Sequence, residues 1–316
     1  MSYLDRMQHI KVGLHSSHTD LTAVPGTLLS VEMLDGADIL PREHERIERN
    51  LARGDNQEYP AILGIRGLDD LAIPTYLRGI ATNDGATLDA QTESEIGLLL
   101  DSLMGASTDK GGSATAITGD TGASGIITVT SGASLLDGGG VLFEDGGGSK
   151  VAREIASGGG TGTLTLDRDH TDGAPGADNV PYGSCYWTMA PATHEHTPLF
   201  IRGMFHGSER SYFGCFGDAT IEIREKQPVR LVSRWRPNNW TDTVVGSTFA
   251  APTAGDYIMG INCRLNVKSA GFDGALLVKS ATLNFGYTMQ VRETLSGANG
   301  QAGWIVTRKA PTIECM

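Results

Sequence analysis

The sequence is poor in the features that announce chemistry. No Cys-x-x-Cys pair occurs, and the four cysteines, Cys185, Cys215, Cys263 and Cys315, lie far apart. That spacing points to unpaired, buried thiols in a reducing compartment. The glycine clusters lack the Lys-Ser/Thr ending of a phosphate loop, and neither GxGxxG before a helix nor GxSxG is present. The opening stretch MSYLDRMQHIKVGLHSSHTD has no apolar run of the kind a secretory leader carries. No segment approaches the ~20 apolar residues of a membrane span. The expectation is a chain made and folded in a cytoplasm, with no membrane partner.

Positive charge is also scarce. The formal net charge is −12, which argues against tight wrapping of nucleic acid, because phosphates need Lys and Arg to neutralise them. The same sign suits a passage through which DNA slides without adhering. Aromatic residues make up only 6 % of the chain, so any core is mainly aliphatic. Glycine, in contrast, is abundant at 42 residues and predicts many turns.

A chain of 316 residues suits two modest domains or one domain with a large insertion. Texture places the insertion. Between residues 111 and 176 lie 18 of the 42 glycines, with short strand-like runs among them: GIITVT (125–130), GVLFED (140–145), KVAREIAS (150–157) and TGTLTLDRD (161–169). Ile, Val, Leu and Phe in these runs favour a small β-module over a flexible spacer. The expected division is 1–110 for the first part of a core, 111–180 for an inserted Gly-rich β-module, and 181–316 for the second part of the core.

The core reads as mainly β with one flanking α-helix. GTLLSVEMLDGADIL (26–40) predicts a strand and a turn. YPAILGIRGLDDLAIPTYLRGI (59–80) predicts two strands with a turn at Asp69-Asp70, Pro74 favouring an edge. TESEIGLLLDSLMG (92–105) is the helix, expected over 92–104: Thr92 and Glu95 match a capping box, Ile96, Leu99, Leu100 and Leu103 share one face, and Gly105 ends it. In ATIEIREKQPVRLVSRW (219–235), Ala219, Ile221 and Ile223 alternate with Thr220, Glu222 and Arg224. After the EKQP turn, Val229, Leu231, Ser233 and Trp235 repeat the alternation. SATLNFGYTMQVRE (280–293) reads as one long strand. Leu283, Phe285, Tyr287, Met289 and Val291 lie on one face; Thr282, Asn284, Gly286, Thr288, Gln290 and Arg292 lie on the other. GWIVTRKAPTIECM predicts a further strand and a tail.

Candidate chemical residues are few. His194 and His196 are two apart, so on a strand both imidazoles share a side and could hold a metal, with His206 or Cys185 as a third ligand. His15 and His18 are a weaker pair. Asp69-Asp70 reads as a solvated turn rather than a catalytic pair. Arg230, Arg234 and Arg236 around Trp235 could stack bases, or pair with the acidic excess. The run PREHERIERNLARGD (41–55) has Arg42, Arg46, Arg49 and Arg53 against Glu43, Glu45, Glu48 and Asp55. It reads either as a solvated helix or loop, or as a protruding loop that meets another subunit. No cofactor is implied.

YPAILGIRGLDDLAIPTYLRGI followed by TESEIGLLLDSLMG, and SYFGCFGDATIEIREKQPVRLVSRW with its aromatic-Gly step, strand, polar turn and strand, resemble the tail tube proteins of long-tailed bacteriophages. The Gly-rich module resembles the extra β-domain that some members carry. The resemblance implies a β-sandwich or barrel core. It implies hexameric rings stacked into a tube in the virion, assembled in the host cytoplasm, through which DNA leaves the capsid without specific binding. It implies tape measure, terminator and baseplate proteins as partners, and no enzymatic activity. The faces bearing Thr220, Glu222, Arg224, Thr282, Asn284, Thr288 and Gln290 would then line the lumen or pair with a neighbouring subunit, and the 41–55 loop would touch the next ring. A metal-dependent enzyme using His194 and His196, an extracellular β-rich adhesin, and another virion ring or decoration protein remain the alternatives.

Overall fold

The structure is a computed structural model that describes residues 9–16, 23–34, 37, 44–47, 62–66, 70–78, 95–104, 107–108, 117–130, 135, 137, 140–144, 150–170, 182–183, 186–187, 196–205, 208–243, 257–263, 265–269, 272–293 and 301–316. The chain is mainly β. It divides into two compact units: residues 1–81, 94–105 and 190–316 form the first, residues 82–93 and 106–189 the second.

In chain order, the first unit opens with β1 (His9–Leu14), β2 (Leu29–Val31), β3 (His44–Ile47), β4 (Ile62–Arg66), β5 (Leu71–Tyr76) and α1 (Glu95–Met104). The second unit holds β6 (Ser107–Thr108), β7 (Ile117–Thr121), β8 (Ile126–Val129), β9 (Gly140–Glu144), β10 (Lys150–Ser157), β11 (Thr163–Leu166), β12 (Tyr182–Gly183) and β13 (Tyr186–Trp187). The first unit resumes with β14 (Leu199–Phe205), β15 (Ser208–Arg224), β16 (Arg230–Arg236), β17 (Asn239–Thr243), β18 (Leu265–Ser269), β19 (Phe272–Leu276), β20 (Ser280–Asn284), β21 (Tyr287–Glu293), β22 (Gln301–Lys309) and β23 (Thr312–Cys315).

The 17-residue β15 belongs to two antiparallel wings. Its residues 209–213 pair with β17 and 208–215 with β14, extending the order β2-β1-β14-β15-β17. Its residues 216–222 pair with β16 and 220–224 with β20, giving β5-β16-β15-β20-β23. The change of partners occurs at Gly214-Cys215-Phe216-Gly217. Leu199 faces Cys215 while Ile201 faces Tyr212, so Phe213 and Gly214 together oppose Phe200. Such a bulge bends a strand and sharpens its twist. Gly214 has φ +61°, a left-handed conformation that a residue with a Cβ adopts at a cost.

Gly217 is needed for a different reason. It sits directly opposite Trp235, whose ring lies across it. A Cβ at Gly217 would come within 2.6 Å of that ring. Trp235 is fully buried, and its indole N–H donates to Ser233 Oγ at 2.9 Å. Ser233 Oγ in turn donates to the Ile73 carbonyl at 2.9 Å. A buried polar pair costs little when each donor has an acceptor, as here.

Helix α1 packs over β1, β2, β14 and β15. Ile96, Leu99, Leu100 and Leu103 are buried as expected, and Leu98 joins them. The helix begins at Glu95 rather than 92, and Thr92 lies outside the described residues. Charges on the flanking half of β15 are paired. Arg202 Nε lies 2.8 Å from Glu209, and Arg210 Nη2 donates to Asp242 at 2.7 Å while stacking 3.6 Å above the Trp240 ring.

In the second unit, β12-β9-β10-β11-β8-β7 form one antiparallel sheet. The four runs read from the sequence are its strands β8 to β11. Ile127 and Val129, Val141 and Phe143, and Leu164 and Leu166 alternate into one buried cluster with Ile117, Leu135 and Ile155. A dry aliphatic cluster of this kind is what a flexible spacer lacks.

Two expectations are corrected. The stretch 280–293 is two strands, not one, because Gly286 has φ +62° and its Cβ would come within 2.4 Å of the Ala310 carbonyl. The closing tail is itself a strand, β23, and its Cys315 is exposed rather than buried. The two strands expected on either side of Asp69-Asp70 are β4 and β5; β4 pairs with β3, and β5 with β16. Pro74 does lie on an edge strand, where its missing N–H costs no ladder bond.

Replacing Gly217 with Ala is expected to destabilise the first unit by about 1–3 kcal/mol through overpacking against Trp235. The check is a lower denaturant midpoint with an unchanged slope.

Candidate assembly surface

Directly opposed residues of antiparallel strands share a face. Glu222 lies opposite both Arg230 and Thr282; Thr220 opposite Val232 and Asn284; Arg224 opposite Ser280. Tyr76 extends the Glu222 row beyond Arg230, and Glu314 extends it beyond Thr282. Thr220, Glu222, Arg224, Thr282 and Asn284 therefore form one face of the β5-β16-β15-β20-β23 wing. On β16 the same side carries Arg230, Val232, Arg234 and Arg236, while Leu231, Ser233 and Trp235 are buried on the other. The net acidity of the chain is not concentrated here. Arg236 Nε pairs with Asp70 at 2.8 Å, and Glu222 stands 3.8 Å from Arg224 and 3.9 Å from Arg230.

Thr288 and Gln290 lie elsewhere, on the ribbon formed by β21 and β22. This ribbon continues the β20–β23 ladder beyond a break. Phe285 N–H donates to the Ala219 carbonyl at 3.0 Å, and Ala310 N–H to the Gly286 carbonyl at 3.2 Å, so the break is itself hydrogen-bonded. Phe285 and Tyr287 are buried, Met289 and Val291 half-buried, Thr288 and Gln290 exposed. Trp304 Nε1 donates to the Pro237 carbonyl at 3.4 Å, and Arg236 lies 5.7 Å from the Trp304 ring, which fastens the ribbon to the end of β16.

Beyond those contacts the strand edges are open. Among the described residues, β21 pairs only with β22, β18 only with β19, and β3 only with β4. Strand β23 pairs with β20 on one side, and all four of its residues are exposed. Ile313 is 49 % exposed and Met316 84 %, and among the described residues the strand has no ladder partner on its outer side. The sequence reading missed this element because TIEC is short and follows Pro311. The Thr-Ile-Glu-Cys alternation was the available signal.

The break holds one perturbed acid. Asp218 Oδ1 accepts the N–H groups of Ala219 at 2.9 Å and Tyr287 at 3.3 Å. Burial pushes the Asp218 carboxyl above its usual range, against the smaller opposing pull of those N–H groups and of Arg236 and Arg234. Burial and the nearby Asp218 charge also push the Tyr287 hydroxyl well above its ordinary value.

The candidate chemical residues do not gather. His196 is buried, its Nδ1–H donating to the Ser102 carbonyl at 3.2 Å and its ring edge-on to Tyr287 at 5.5 Å. His194, Cys185 and His206 lie outside the described residues. His15 Nε2 accepts the Gly214 N–H at 3.1 Å and packs edge-on against Phe200, so it is a core residue at the bulge; His18 lies outside the described residues. Among the described residues no three His, Cys, Asp or Glu side chains are placed to hold a metal ion. Trp235, fully buried, offers no stacking platform. Of the charged loop, Glu45 and Arg46 fall in β3, and Arg42, Glu43, Glu48, Arg49 and Arg53 lie outside the described residues. Among the described residues no helix is long and apolar enough to cross a membrane. No protein-family model matches the chain, and no similar curated protein was found.

The raised pKa of Asp218 gives a signed expectation. The folded chain holds this proton to a higher pH than the unfolded chain. The group's contribution is therefore fully present below the unfolded value and is lost as pH rises through the folded one. Asp218→Asn keeps an oxygen for both N–H donors and removes the buried charge. It is expected to unfold at a higher temperature than the parent at pH 7, with the difference vanishing below about pH 4.

Proposed function

We propose that this chain is a structural subunit of the phage tail-tube type, which closes into rings and stacks into a hollow conduit for DNA. The observation that carries the reading is β23: a hydrogen-bonded strand whose four residues are exposed and whose outer edge has no partner among the described residues. A bare edge recruits another strand; β23 is short, follows Pro311 and carries Glu314, which blunt an edge, but Ile313 and Met316 stay exposed beside them and offer a neighbour an apolar contact. The β21–β22 ribbon adds a second open edge beside it. An unpaired edge joined to a different surface of the next copy is a head-to-tail contact, which closes into a ring when the rotation allows.

The arginines of the Glu222 face belong at contacts between copies, where an acidic neighbour neutralises them. An arginine-lined bore would hold phosphates instead of passing them. The net charge of −12 supplies the opposite field over the remaining surface. Helix α1 and the dry cores of the two units keep each subunit rigid while the edges are used. The partners are other copies of the chain and the tail proteins that measure, close and anchor the tube.

Purified protein, examined by sedimentation and negative-stain imaging over a range of concentrations, is expected to form sixfold rings or tubes. A strictly monomeric protein at the highest concentration attainable would overturn the reading. Ile313→Asp is expected to abolish association while leaving the unfolding temperature almost unchanged, since exposed positions contribute within about 0.5 kcal/mol.

A further inference from the structure

The turn end of the Glu222 face encloses an open cleft of about 580 Å³. That volume falls within the range of small-ligand sites. Its polar lining comes from Glu222, Arg224, Arg230 and Gln227, and its apolar lining from Leu34, Pro228 and the Tyr76 ring. All of these belong to the first unit.

Charge in the cleft is unbalanced. Two guanidiniums share one carboxylate, and both stand near the outer limit of ion pairing, at 3.8 and 3.9 Å. Charge-assisted hydrogen bonds are shorter, about 2.7–2.9 Å, so Glu222 leaves most of the guanidinium donors unused. Among the described residues, the buried Arg230 Nε has no acceptor. Glu32 is committed elsewhere: it forms an ion pair with Arg78 and accepts the Tyr257 hydroxyl at 3.2 Å. A buried donor without an acceptor is a cost that a ligand removes.

The walls are also held in place. Leu34 N–H donates to the Pro74 carbonyl at 2.8 Å, fixing one side along β5. Tyr76 is braced edge-on by Tyr257, with ring centres 5.5 Å apart. On the other side, Val229 N–H donates to Ile258 at 2.8 Å and Gly260 N–H to Gln227 at 2.9 Å. A fixed site loses little freedom when a ligand arrives.

We propose that this cleft binds an oxyanion, a phosphate or carboxylate group, between Arg224 and Arg230, with the attached body resting on Tyr76, Leu34 and Pro228. Gln227 supplies an amide donor beside it. The group has two possible sources: a free small molecule, or an acidic side chain of a second copy of the chain. The site itself does not depend on ring formation.

The test is calorimetric titration of the full chain with phenyl phosphate and, separately, benzoate. Saturable binding is expected, with Kd of about 1 mM or tighter. Arg230→Gln and Arg224→Gln are each expected to weaken it about tenfold, the size of one lost charged hydrogen bond. Glu222→Gln is expected to tighten it severalfold by removing the competing carboxylate. Arg234→Gln, on the same face but outside the cleft, is expected to leave it unchanged. Unfolding temperatures of all variants confirm that they remain folded. Absence of saturable binding in the parent, or equal losses from Arg234→Gln and Arg230→Gln, would overturn the site. Rings that form with no anion binding would overturn it and leave the assembly reading standing. Sedimentation with phenyl phosphate then assigns the source. Weakened association identifies a neighbour's carboxylate as the occupant, and unchanged association identifies a free ligand.

Discussion

One strand has to serve two sheets, and the first unit is arranged around that requirement. β15 cannot stay straight and pair with β14 and β17 at one end and β16 and β20 at the other. The extra residue at Phe213-Gly214 supplies the bend, and His15 seals it by accepting the Gly214 N–H. Three residues after Gly214, the absence of a side chain at Gly217 lets Trp235 lie across the strand. The Trp235–Ser233–Ile73 chain of hydrogen bonds then ties β16 to β5. Together they let a single backbone change partners while the Gly214, Ser233 and Trp235 donors each keep an acceptor.

The contrast between centre and periphery follows. Along the bend, residues 209–217 are all buried, and the charged pair Arg202–Glu209 is matched there. At the periphery, β23 and the β21–β22 ribbon each have a ladder on one side and no second strand partner among the described residues. Stability is therefore concentrated where partners change, and the outer strands retain unused backbone donors and acceptors. Such a distribution suits a subunit that is completed by association.

The alternation in 219–235 was legible because that half of β15 has one wet face, so period two survives in the letters. The preceding half was not. With residues 209–217 covered on both sides, SYFGCFG shows no alternation and reads as a compact step rather than the start of a 17-residue strand. The break at Gly286 was hidden for the opposite reason. Phe285 and Tyr287 are buried on either side of it, so the pattern stays in phase through a residue that leaves the strand conformation. Pairing partners were beyond reach in principle. Nothing local in LAIPTY specifies β16 over β4, since that choice is made by contacts more than a hundred residues away. The strands of the Gly-rich unit, by contrast, were legible one by one, because each is short, amphipathic and bounded by glycine.

The short ladder between β6 and β13 bears on how such a chain diversifies. Thr108 faces Tyr186 and Ser107 faces Trp187, so the backbone that leaves the first unit comes back beside itself. A foldable module bracketed by adjacent ends is a cassette. It can be shortened to a turn, lengthened, or exchanged for an unrelated domain while the ends stay a few ångströms apart and the surrounding sheet keeps its register. The second unit is therefore a place where sequence can change length and content without altering the strands of the first.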